Sequence, residues 1–132
     1  MRRAVRVLAL AAVLLVAGCS LFRDPKLHVA DVTSIAAPDT VHAGTVFDVA
    51  FHVVIGYEAC FALDHEDISS TSSCFALRVW SRDLRREGYL IPQITVEEDL
   101  AFEAGPAEPG VFRVIAHQPD GSTTNKTVFV LP

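Results

Sequence analysis

Sulfur and indole are scarce in this chain of 132 residues, which has one methionine, three cysteines and one tryptophan. The only methionine is Met1, so a blue-copper centre, which usually joins a free cysteine to a weak axial ligand such as methionine, is excluded. No Cys-x-x-Cys spacing is present to lower a thiol pKa for dithiol redox chemistry. A Gly-x-Ser-x-Gly elbow is also missing, and Ser69, Ser70, Ser72 and Ser73 form a loop-like run without a base and acid in register. The five histidines, His28, His42, His52, His65 and His117, include no His-x-His or His-x-x-x-His pair. Asp64, Glu66 and Asp67 lack the glycine-punctuated spacing of a calcium loop, and Glu97, Glu98 and Asp99 alternate in direction and cannot all converge on one cation. The expectation is therefore a non-enzyme with no catalytic residues, no metal and no cofactor.

Long apolar runs are missing too. The longest, Val7 to Val16, falls short of the ~20 residues that span a bilayer. It follows Arg2, Arg3 and Arg6, and a positive stretch before a short apolar one reads as a cleavable helical signal peptide, residues 1–18. The segment Leu15-Val16-Ala17-Gly18-Cys19 then resembles the lipobox of bacterial lipoproteins. That resemblance implies cleavage after Gly18 and lipidation of Cys19, with palmitate-class chains holding the protein on a membrane of the cell envelope. Two or three acyl chains anchor stably, at about 0.8 kcal/mol per buried methylene. Ser20 stands where an aspartate would favour inner-membrane retention, so the outer membrane is the favoured destination.

All 16 acidic residues follow Gly18, whereas 3 of the 11 basic ones precede it, so the mature part carries 8 basic groups and a formal charge of −8. An acidic domain is a poor partner for nucleic acid or anionic headgroups, and membrane attachment falls to the lipid. With Cys19 acylated, Cys60 and Cys74 are left in an oxidising compartment, where a Cys60–Cys74 disulfide is expected to close a loop of about 15 residues and contribute roughly 3 kcal/mol. Two free thiols are the alternative.

Residues 19–26 read as a short tether and 27–132 as one domain of short strands. The clearest alternation sets Phe47, Val49, Phe51, Val53 and Ile55 on one face against Asp48, Ala50 and His52 on the other. Leu27–Ile35, Phe75–Trp80, Ile94–Phe102, Val111–His117 and Thr124–Leu131 supply further strands. Glu98 interrupts its alternation, which predicts a bulge there. The acidic Asp64–Asp67 stretch and the Ser69–Ser73 run read as a solvated tip between two apolar pieces.

About seven strands in this length predict an all-β, antiparallel sandwich. The stretches Val41–Val49 and Glu108–Val114, with their Ala-Gly and Pro-Gly entries to strands, resemble immunoglobulin-like domains of bacterial surface lipoproteins. The likeness departs in two places: neither Phe47–Ile55 nor Val111–His117 carries a cysteine, and Phe112 stands where a corner tyrosine is often found. Trp80 is assigned to the core. Tyr89 beside Arg82, Arg85 and Arg86 is the candidate contact patch, since tyrosine and arginine anchor interfaces. The function expected is a membrane-anchored, non-catalytic module that binds an envelope protein or supports envelope structure, with a small-ligand or metal carrier as the alternative and an envelope glycan- or peptide-directed enzyme as a remote third.

Overall fold

The computed structural model describes residues 26–85 and 90–132 and is all-β. The expected signal peptide, Cys19, Arg86 and Tyr89 lie outside the described residues. Nine strands are present among those described: β1 Lys26–Val29, β2 Asp31–Ala36, β3 Thr40–His42, β4 Phe47–Gly56, β5 Phe61–Ser70, β6 Cys74–Asp83, β7 Val96–Ala104, β8 Gly110–His117 and β9 Thr123–Leu131. They form two sheets. The larger runs β1-β6-β8-β9-β3 with β5 on the other edge of β6, and the smaller is β2-β4-β7. The first strand expected, Leu27–Ile35, is divided: β1 pairs with β6 in the large sheet, and after Ala30 the chain crosses to pair β2 with β4 in the small one.

The inward positions follow the period of two that a half-buried strand imposes. Phe47, Val49, Phe51, Val53 and Ile55 of β4 meet Phe75, Leu77 and Val79 of β6, Phe112, Val114 and Ala116 of β8, and Val128 and Val130 of β9. Phe51 lies parallel to Phe75 with centroids 6.0 Å apart and presents its edge to Phe102 at 6.1 Å. The sandwich expected from the sequence is thus the architecture found. Its pairing is not wholly antiparallel, because β3 runs parallel to β9 and β6 parallel to β8. The β6/β8 direction follows from β5 and β6 forming a hairpin in the large sheet, which reverses β6 before the chain crosses over through β7.

That hairpin overturns two expectations. Asp64, His65, Glu66 and Asp67 belong to β5 itself, an edge strand, and only Thr71–Ser73 make the turn. An edge tolerates, and is protected by, the charge that read as a loop. Phe61 stands opposite Asp83 and Ser70 opposite Phe75, so Cys60 and Cys74 sit at opposite ends of a hairpin whose two strands are ten residues each. Their separation is about 30 Å at the rise of a strand, against the 4.4–6.8 Å between Cα atoms that a disulfide spans. A Cys60–Cys74 bond is therefore excluded; Cys74 is a free, half-buried thiol and Cys60 is buried.

The bulge expected at Glu98 is displaced as well. Register is continuous from Glu97 to Ala104, and the shift falls across the ladder on β4, between Val54 and Gly56. Glu98 keeps the parity of Leu100 and Phe102 yet is exposed, which the edge position of β7 allows.

Candidate functional site

The strand directions give the sandwich two unlike ends. Lys26 lies opposite Asp83 at the end of β6, so the chain enters where β4 and β8 finish and β5 and β7 begin. This entry end also holds the β4–β5 loop, the segment between β6 and β7, and the β8–β9 turn. At the far end are the starts of β4, β6 and β8 and the end of β9.

A cavity of about 280 Å³ opens at the entry end, walled by Val29, Ala30, Val54, Ile55 and Phe61, with His28, Asp31, Tyr57, Glu58, Ser81 and Arg85 among its polar lining. It arises because the inward row of β6 turns polar as it nears its end, passing from Val79 to Ser81 and Asp83. Ser81 Oγ donates to the His28 carbonyl at 3.3 Å. Asp83 is nearly buried and receives Arg85 Nε at 2.9 and 2.8 Å, Arg85 Nη2 at 2.6 Å and the Arg85 backbone N–H at 2.9 Å. Arg85 Nη1 reaches Glu58 Oε2 at 2.9 Å, and the guanidinium lies 5.2 Å from the centre of the Phe61 ring. Burial pushes the Asp83 carboxyl up, but the Arg85 hydrogen bonds outweigh it and hold the group below its ordinary value; the two carboxylates raise Arg85 in turn. Gly56 makes this packing possible, since a Cβ there would lie 2.2 Å from the Phe61 ring.

Of the expected contact patch, the structure describes Arg82 and Arg85. The Arg85 fork is engaged by Asp83 and Glu58, whereas Arg82, exposed on β6, projects from the outer face of the large sheet opposite Ala62. The two arginines thus differ in their partners, and Arg86 and Tyr89 lie outside the described residues.

Trp80 is not in the core. Odd-numbered residues of β6 point inward, so Trp80 shares the outer face with Arg78, where its Nε1 donates to Asp67 Oδ2 at 2.7 Å and its ring stacks on His65 at 6.0 Å. His65 in turn pairs with Asp64 through Nδ1 and stands 3.8 Å from Asp67 through Nε2. On the outer face of the small sheet, His52 Nδ1 meets Asp99 Oδ1 at 2.6 Å and Nε2 meets Glu97 Oε1 at 3.6 Å. The Asp99 hydrogen bond raises the His52 pKa above its ordinary 6.5, partial desolvation opposes it, and Glu97 adds to the rise. Among the described residues, no group of three His, Cys, Asp or Glu side chains is placed to hold a metal ion.

One surface feature was not singled out from the sequence. Val111 of β8 lies directly opposite Phe129 of β9, and Leu131 follows on the same face of the strand. All three are exposed on the outside of the large sheet, Phe129 at 57%, and β3 borders them with Thr40 and His42. The signal was present in Val128-Phe129-Val130: two inward valines force the phenylalanine between them outward, among Asn125 and Thr127. From the register of β6 with β8, this strip lies roughly 35 Å from the level of Lys26. No protein-family model, curated protein or solved structure matches the chain.

Proposed function

We propose that the chain is a lipid-anchored, non-catalytic module of the bacterial cell envelope that binds a protein partner through the outer face of its larger sheet. The observation that carries this reading is the Val111–Phe129–Leu131 strip, an exposed aromatic flanked by two aliphatic side chains on a rigid ladder. Exposed apolar surface backed by fixed strands is the material of protein interfaces, in which a few aromatic anchors carry most of the affinity. Its distance from the entry end suits it to meet a partner away from the membrane that holds Cys19.

The test is recovery of partners from gently crosslinked envelopes with the lipidated parent and with Phe129→Asp. A specific envelope protein held by the parent and lost with Phe129→Asp, at unchanged melting temperature, supports the reading; equal recovery with both removes this face as the binding surface. The cavity supports a second reading, a carrier of a small apolar ligand, for which a rise in melting temperature with a candidate ligand is the measurement.

A further inference from the structure

Nine large apolar side chains are exposed among the described residues, and they fall into two groups, one toward the far end that includes the Val111–Phe129–Leu131 strip and one at the entry end. Four of them, Leu27, Tyr57, Leu90 and Ile94, gather at the entry end, with Tyr57 at 61% and Leu90 at 101% exposure. They come from three separate segments. The β4–β5 loop and the segment before β7 are tied together by the Ala59 N–H on the Pro92 carbonyl at 3.1 Å and by Gln93 Nε2 on Glu58 Oε1 at 3.1 Å. These bonds fix Tyr57 and Ile94 on one end of the sandwich.

Three of the anionic groups at this end have a partner, and Asp31 lines the cavity there as well. Asp83 and Glu58 are held by Arg85, and Asp120 by the Ser122 hydroxyl and backbone N–H. Exposed Lys26 and Arg82 add positive charge.

We propose that the entry end rests on the bilayer, with Tyr57, Leu90 and Ile94 immersed in the interfacial layer of a neutral phospholipid surface. The inference rests on the lipid-anchor reading and goes beyond it by fixing how the domain sits. Cys19 is seven residues before Lys26, so its acyl chains lie within about 25 Å of the entry end even if that stretch is fully extended. Within that reach the effective concentration of lipid is high, and modest apolar contacts suffice to hold the domain down. Tyrosine suits the layer because its ring is apolar and its hydroxyl stays wet. The acidic domain takes no help from anionic headgroups, so the contact is apolar and insensitive to salt.

The experiment uses the full-length chain expressed in bacteria, with its mature lipidated form reconstituted into phosphatidylcholine vesicles. Trp80→Phe removes the native indole, and Tyr57→Trp, Ile94→Trp and Phe129→Trp place a single reporter in turn. Brominated phosphatidylcholine is expected to cause a loss of emission at positions 57 and 94 but not at 129, while aqueous iodide quenches only at 129. The pattern is expected to persist at high salt. Equal iodide quenching at all three positions, in protein that still floats with the vesicles and carries labelled palmitate, overturns the membrane contact and leaves the anchor standing. Absence of palmitate label and of flotation overturns the anchor and the contact together.

Discussion

At the far end of the sandwich, Phe47 meets Phe112 edge to face at 5.1 Å, and Ala104 and Ala107 are buried beside them. The loops there are zipped by Gly44 N–H on the Ala107 carbonyl at 2.8 Å and Ala107 N–H on the Thr45 carbonyl at 3.3 Å. Gly105 takes a φ of +98°, and a Cβ at that position would stand 2.7 Å from the Thr45 carbonyl oxygen, so only glycine allows so close an approach. At the entry end the same two sheets part, an arginine bridges two carboxylates, and a cavity remains. One end is closed by packing and the other by paired charge. The two devices differ in strength and in sensitivity to pH, and that difference can be measured.

The largest effect is expected where closure depends on packing. Phe112 is fully buried, and Phe112→Ala is expected to lower unfolding stability by about 3–5 kcal/mol, read from urea titration, because transfer and cavity terms add for a buried aromatic. A loss below about 1 kcal/mol would mean that the far end collapses around the void, and the contrast between the ends would weaken.

A smaller loss is expected where closure depends on charge. Arg85→Ala leaves Asp83 nearly buried without its partner, and the cost is about 2 kcal/mol, set below the usual range for broken buried pairs because the Arg85 side chain is itself 44% exposed. The same pair predicts acid sensitivity. The Asp83 carboxyl is held below its ordinary value in the fold, so its contribution is present above that ordinary value and is lost as pH falls through the depressed one. Stability profiles of the parent and Arg85→Ala should therefore converge in acid. Parallel profiles down to the acid limit would show that the ion pair does not hold the entry end together.

The smallest effect belongs to His52, which lies between the two ends on the small sheet. Its pKa is raised, so its contribution is fully present below the ordinary histidine value and is lost as pH rises through the folded one. His52→Gln is expected to remove this shallow dependence near neutrality while leaving both ends untouched, with imidazole titration by NMR as the check. A parent imidazole titrating at or below 6.5 would dissociate His52 from Asp99.

The contrast between the ends also explains what could be read from the chain in advance. Phe47–Ile55 and Phe75–Val79 were legible because one face of each is buried along its length, and a period of two then appears in the residues themselves. Edge strands carry a weaker signal. Asp64–Asp67 is charged and still forms a ladder, since β5 has a partner on one side only. Partner identity is less legible still, because nothing in Cys74–Leu77 indicates that β8 runs parallel to it. The Cys60–Cys74 expectation failed for this reason: a spacing of 14 along the chain suits a closed loop, but here residue 60 sits at the base of a hairpin and residue 74 at its turn, a full strand length away. Arg85 read as a surface residue and is exposed, but its pairing was not legible, since only the fold brings Glu58 beside it.

The crossing of the first strand at Ala30 has a mechanical consequence. The chain is paired with β6 before that residue and with β4 after it, and the ladder hydrogen bonds lie across the strand rather than along it. A pull on Lys26 directed out of the entry end therefore loads the bonds of both sheets in shear, as a group, instead of peeling them one at a time. A domain held by its first residue is in this way gripped by both layers at once.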